Sequence, residues 1–230
     1  MGGSNSFCAV IFDVDGTLYR QKGLRRRMLV ELLRSALVSS RTREDIRILK
    51  RFREDRESLA EVVESGFEEA QYRVPAEALG IDPERVRQAV ERWIYERPLR
   101  HLRRHRLPGI EDWLAQLRSA GVRLGVYSEY PAQEKLEALG LEFDAVIAST
   151  DPEVDAFKPN PKGLEVALRR LGCDPSRALF VGDRDDRDRP CAEAAGVAFL
   201  KVGNESEGGV SSFPPPEKLL PEFLRTGVAP

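Results

Sequence analysis

The chain has 230 residues, 41% of them hydrophobic and 32% charged, with a formal charge of −2 at pH 7 and a pI near 5.9. That length allows one large domain, or a core with a smaller appendage, around a substantial buried core. The near-neutral balance excludes an overtly nucleic-acid-binding chain, and no apolar run approaches the ~20 residues that span a bilayer.

In chain order, Met1-Gly2-Gly3-Ser4-Asn5-Ser6 fits the loose myristoylation pattern. It reads instead as a disordered leader or a cloning remnant, and it lacks the apolar segment of a secretory signal. The apolar run Cys8-Ala9-Val10-Ile11-Phe12 then predicts a buried strand that ends on Asp13-Val14-Asp15-Gly16-Thr17-Leu18. Positions i and i+2 of an extended strand face the same way, so Asp13 and Asp15 can share one site while Gly16 turns the backbone. An isolated Asp-Gly is more often only a turn or a helix cap.

Residues 24–95 predict helix upon helix, with apolar side chains at helical spacing: Leu29, Leu32, Leu33 and Leu37, later Val86, Val90, Trp93 and Ile94. Thr42-Arg43-Glu44-Asp45 and Asp82-Pro83-Glu84-Arg85 offer helix starts. Residues 97–108, basic and proline-flanked, read as a return linker. Residues 20–106 hold 22 Lys/Arg against 15 Asp/Glu, and the remainder 14 against 23, which suggests two parts with different jobs.

From Gly109 onward helix and strand alternate. Helices are predicted over 111–120, 133–139, 161–171 and 191–195. Strands are predicted over 122–127 and at Ala145-Val146-Ile147-Ala148, Ala178-Leu179-Phe180-Val181 and Val197-Ala198-Phe199-Leu200, giving a doubly wound parallel α/β core. Residues 203–230, rich in Gly, Ser and Pro, read as loose wrapping around a short helix over 217–224. Cys8, Cys173 and Cys191 are odd in number and far apart, which argues against a disulfide framework or thiolate metal site and for a reducing cytoplasm. His101 and His105, in an Arg-rich stretch, read as surface side chains.

Three further signals sit at expected strand ends: Ser128 after Gly125-Val126-Tyr127, Lys158 in Ala156-Phe157-Lys158-Pro159, and Asp183 and Asp188 in Val181-Gly182-Asp183-Arg184-Asp185-Asp186-Arg187-Asp188. Each alone has an ordinary explanation as a turn, cap or solvated charge. Together with Asp13-Val14-Asp15-Gly16-Thr17, and in this order, they resemble the four signatures of the haloacid dehalogenase superfamily, over residues 9–202. The resemblance implies a Rossmann-like doubly wound parallel sheet, residues 1–19 and 108–230, with an inserted all-helical cap, residues 20–107. The 29 residues between Ser128 and Lys158 leave no room for the larger α/β cap of other branches.

The resemblance also implies roles. Asp13 is the nucleophile that forms an aspartyl-phosphate, and Asp15 is the general acid and then the base. Ser128 and the backbone N–H of Glu129, with Lys158, bind the phosphate; Asp13, the Asp15 carbonyl, Asp183 and Asp188 hold Mg²⁺. The chemistry is coherent, since close carboxylates repel by about 4 kcal/mol per pair at ~4 Å and an effective dielectric near 20. A hard cation and a lysine offset that repulsion. Asp185 and Asp186 miss the spacing and read as loop charges balanced by Arg184, Arg187 and Arg189.

Dehalogenases of the superfamily lack an aspartate at the position of Asp15, so a phosphatase acting on a small phosphorylated metabolite is expected. A β-phosphoglucomutase-like mutase shares every signature, and a non-catalytic phosphate-binding or interaction module is the alternative of another class. A Schiff-base phosphonate hydrolase is weakly supported, since Lys22 and Lys50 are the only lysines of the insert. Its arginines, Arg25, Arg26, Arg27, Arg103, Arg104 and Arg106 among them, serve either substrate anions or solubility. Nucleic acid and membrane are not expected partners; oligomeric state stays open.

Overall fold

The structure is a computed structural model and describes residues 7–62 and 66–202. Five short apolar runs form one parallel sheet: β1 (Ala9–Phe12), β2 (Arg123–Ser128), β3 (Ala145–Ala148), β4 (Ala178–Gly182) and β5 (Ala198–Lys201). Their order is β3-β2-β1-β4-β5. Every residue of β1 and β4 is buried, as expected for strands covered on both faces.

Alternation along the strands divides the core in two. Val10, Phe12, Val126 and Val181 pack with Trp113 and Leu117 of α6 (Ile110–Ser119) and with Leu136 and Leu139 of α7 (Gln133–Leu139). Ile11, Tyr127 and Phe180 pack with Leu164 and Leu168 of α8 (Lys162–Leu171) and with Cys191 and Ala192 of α9 (Asp188–Ala194). In register, Phe12 lies opposite both Val126 and Val181. Asp13, Ser128 and Gly182 therefore leave the sheet at its carboxyl edge, where strand order reverses between β1 and β4. That crevice is where open α/β sheets hold ligands.

Between β1 and β2 the chain inserts α1 (Gln21–Val38), α2 (Ser40–Val62), α3 (Phe67–Leu79), α4 (Pro83–Val90), a π-helical segment (Glu91–Glu96) and α5 (Arg97–His105), before α6 returns to the sheet. Ile48, Leu49, Phe52, Tyr72, Val86 and Trp93 form its own apolar cluster. Asp45 is buried in it, accepting from Arg85 at 2.5 Å and from Trp93 Nε1 at 2.9 Å. The two chain crossings between insert and core are tied by Arg20 N–H to the His105 carbonyl at 2.8 Å and Leu107 N–H to the Leu18 carbonyl at 3.0 Å.

Several expectations are corrected. The stretch 97–108 is largely helix rather than linker. The preceding π turn sends the Arg97 N–H to the Arg92 carbonyl, shifting the hydrogen-bond frame before Pro98, which has no N–H to donate. Helix α2 begins at Ser40, ahead of Thr42, because Ser39 Oγ accepts from Thr42 N at 3.2 Å and supplies the cap chemistry first. Asp82 caps α4 as expected, accepting from Glu84 N at 2.8 Å. Leu29, Leu33 and Leu37, whose spacing predicts the helix that forms there, lie on its exposed face. His101 and His105 are half-buried; His101 bonds Glu31 at 2.7 Å.

The cysteine reading is also overturned: Cys8 and Cys173 form a disulfide with Cα atoms 5.9 Å apart, leaving Cys191 free and buried. The sequence separation of 165 hid this, because α8 runs back along the sheet to end beside the start of β1. No helix among the described residues is long and apolar enough to cross a membrane. The leader and the 217–224 helix lie outside the described residues.

Candidate active site

Asp13 is the first residue beyond β1, and its N–H still donates to the Val181 carbonyl at 2.8 Å, so the backbone of the central strand aims the side chain. Its Oδ1 accepts from Lys158 Nζ at 2.7 Å, and the same ammonium reaches Asp188 Oδ1 at 2.8 Å. All three groups are buried. Asp183, the residue after β4, completes an acidic cluster in which one oxygen each from Asp13, Asp183 and Asp188 lies within 4.8 Å of the others.

Glycines make this approach possible. Gly16 has φ +104°, and a Cβ there would sit 2.2 Å from Asp183 Oδ2. At Gly182 a Cβ would meet Asp188 Oδ2 at 2.4 Å.

The electrostatics follow from crowding. Burial pushes the Asp13 carboxyl well above the usual range; Lys158 opposes this, while Asp188, Asp183 and Asp15 add to it. Asp183 is pushed up to about 7, by burial and then by Asp188. Burial alone would lower Lys158, but Asp13, Asp188 and Glu129 outweigh it and hold the ammonium charged.

A hard cation suits this donor set: three carboxylates converge, and Asp183 Oδ1 is buried with no hydrogen-bond partner among the described residues. The surrounding cavity, about 330 Å³, is also bordered by Asp15, Gln21, Arg25, Glu129, Tyr130 and Arg184.

Asp15 lies beside the cluster under different control. Lys135 Nζ contacts both its oxygens, at 2.8 and 2.7 Å, and the Tyr19 hydroxyl donates to Oδ1. Burial would raise this carboxyl, yet Lys135 and the hydrogen bonds prevail and hold it below the usual range. Neither Lys135 nor Tyr19 belongs to the four sequence motifs. Lys135 left a trace in sequence, standing on the same helical face as Ala132, Leu136 and Leu139 where an apolar residue is expected.

Ser128 ends β2 fully buried, and its Oγ accepts from Tyr130 N at 3.3 Å. It does not border the acidic cavity; Glu129 and Tyr130, the next two residues, do. Burial pushes the Glu129 carboxyl up, against Lys158, Arg56 and Arg184. Asp185 and Asp186 point away, paired with Arg189 at 2.9 Å and Arg184 at 2.7 Å.

The insert closes over this edge. Arg56 of α2 donates to the Glu129 carbonyl at 2.5 Å with its guanidinium 3.7 Å from the Tyr130 ring centroid. Glu57 pairs with Arg187 at 2.8 Å, and Arg187 in turn donates to the Lys158 carbonyl at 3.0 Å. From the loop after β3, Asp155, at φ +42°, accepts from Gly66 N at 2.6 Å and Glu68 N at 3.1 Å, at the start of α3.

Comparison with known proteins places the chain in a family. The chain is 32% identical over 205 residues to a glyceraldehyde 3-phosphate phosphatase of Methanopyrus kandleri, covering 84% of this chain and 83% of that protein. Its fold matches a 2-haloacid dehalogenase of Pseudomonas syringae with a TM-score of 0.63 at 23% identity, covering 95% and 98% of the two chains. It matches a β-phosphoglucomutase of Clostridium difficile with a TM-score of 0.57 at 21% identity, covering 86% and 85%. Residues 8–196 match the haloacid dehalogenase-like hydrolases, and the chain belongs to that family, as one of its phosphatases.

Proposed function

We propose that this phosphatase hydrolyses a small phosphomonoester in two steps through a phosphoryl group carried on Asp13. The observation that carries the reading is the buried Asp13 carboxylate, with Oδ1 held by Lys158 and Oδ2 without a hydrogen bond among the described residues. An oxygen so oriented, beside a permanent cation, is suited to in-line attack. Asp13, Asp183 and Asp188, with the Asp15 carbonyl, would hold Mg²⁺. When bound, that ion neutralises charge on the phosphoryl oxygens.

In the first step Asp13 Oδ2 attacks phosphorus, the ester P–O bond breaks, and Asp15 gives a proton to the departing alkoxide. In the second, Asp15 takes a proton from water, whose oxygen attacks phosphorus; the Asp13–phosphorus bond breaks and inorganic phosphate leaves. Lys135 and Tyr19 favour the ionised Asp15 that the second step needs. The negative charge of an arriving phosphate raises its proton affinity for the first. Lys158 orients Asp13 and, with the Glu129 N–H, meets phosphoryl oxygens. Residues 20–107 act as a cap that excludes water, tethered to the core by Arg56 on the Glu129 carbonyl and by the Glu57–Arg187 pair.

The test is p-nitrophenyl phosphate hydrolysis with Mg²⁺ by wild type and Asp13→Asn. The variant should lose at least about 10³-fold in kcat while keeping its circular dichroism. A folded variant that retains turnover refutes the assignment.

A further inference from the structure

Asp15 borders two cavities. One is the acidic cavity; the other, about 450 Å³, lies between α1, α2 and the π-helical segment with α5. Asp15, Gln21, Arg25 and Tyr130 line both, so the two meet at the residue that would protonate the leaving oxygen. A leaving group attached to that oxygen extends into the second cavity. Its walls are mainly hydrocarbon and aromatic: Leu24, Met28, Leu32, Leu49, Trp93 and Ile94. The volume falls within the ~300–1,000 Å³ of sites for drug-sized ligands and is far more than a three-carbon alcohol fills.

Resting on the phosphatase reading, we propose that the substrate is an amphiphile: a phosphomonoester whose alcohol is a medium-length alkyl or aryl body, seated between α1, α2 and α5. Sugar or amino-acid hydroxyls and amines would find no hydrogen-bonding side chains along the Leu24, Met28, Leu32, Leu49 and Ile94 stretch, and desolvating them unpaired is unfavourable. Of the polar residues on the cavity walls, Gln21 and Arg25 also border the acidic cavity, where the head would lie, whereas Lys50 and Glu54 pair with each other at 3.8 Å at the exposed surface. Arg25 and Arg53 line the cavity and make no hydrogen bond or ion pair among the described residues, and Arg25, which also borders the acidic cavity, leaves a guanidinium to meet the anionic head.

Leu29 lines the cavity and is 54% exposed, so the cavity wall reaches the surface there. Leu33 and Leu37 follow at one-turn intervals along the exposed face of α1, extending the apolar path for a body longer than the cavity.

The test is kcat/KM for ethyl, butyl, hexyl and octyl phosphate, against phosphoserine and glycerol 1-phosphate. The inference expects a rise of roughly fourfold per methylene until the cavity is filled, with the polar esters near the bottom of the series. Leu32→Trp should move the best length to a shorter chain, and Leu29→Glu should lower the octyl-to-ethyl ratio. A flat or falling series, a preference for phosphoserine, or an unchanged length profile in both variants overturns it while leaving the hydrolysis reading intact.

No turnover of any ester defeats the parent reading instead. Calorimetry with octylphosphonate and methylphosphonate then decides the cavity alone. Tighter octylphosphonate binding with a negative heat-capacity change supports the inference, and equal affinities overturn it.

Discussion

The ammonium of Lys135 spans both carboxylate oxygens of Asp15, at 2.8 and 2.7 Å, with 6% and 14% of the two side chains exposed. One helix residue thus decides the charge of a carboxylate carried by the loop after the central strand, and it does so across 120 residues of sequence.

Lys135→Met should therefore destabilise the fold by about 3 kcal/mol at pH 7, because it leaves a buried carboxylate uncompensated. In the wild type, the lowered Asp15 pKa contributes stability above its unfolded value near 3.9 and loses it as pH falls through the lower folded value. In the variant burial acts without Lys135, the carboxyl titrates higher, and the deficit shrinks as acid neutralises Asp15. Urea unfolding at pH 7 and pH 4.5 measures both; a deficit that does not change with pH contradicts the assignment.

The crowded carboxylates make a second prediction. Mg²⁺ at 100 times its Kd should stabilise the protein by about 2.7 kcal/mol, raising Tm by about 5–10 °C. Asp183→Asn should remove most of that rise. Without Mg²⁺ it should melt no lower than wild type, since one of three mutually repelling acids is gone. Differential scanning calorimetry with and without Mg²⁺ checks this, and an equal Mg²⁺ shift in both proteins excludes Asp183 as a ligand.

The Cys8–Cys173 bond closes a loop of 165 residues. Chain-entropy reasoning gives up to about 5 kcal/mol of stabilisation from a loop of that size. Reduction, or the pair Cys8→Ser and Cys173→Ser, should lower the urea midpoint accordingly. Alkylation followed by mass spectrometry should label only Cys191 after unfolding of the oxidised protein. Three labelled cysteines without reductant would show that the bond does not form.

The parallel sheet and the carboxylates were readable because their information is local. Each strand is one apolar run, and Asp13, Lys158, Asp183 and Asp188 stand at or beyond strand ends, so knowing the strands placed the residues together. What could not be read was nonlocal. Lys135 reaches Asp15 from a helix face, Arg56 reaches Glu129 from the insert, and Cys173 meets Cys8 only because α8 runs back along the sheet. The same limit applies to Leu29, Leu33 and Leu37. Helical spacing shows that they share a face, but not whether anything packs against it. The π turn before Pro98 escaped for another reason: a proline flanked by arginines signals a break unless the hydrogen-bond frame has already slipped.

Asp155 ties two events together. The first N–H groups of α3 find their acceptor on the core rather than within the insert, so lifting the insert away strips the helix of its cap, at a cost of about 1 kcal/mol. Helix α3 is therefore complete only while pressed against the core, and any motion that lifted the insert would fray that helix end.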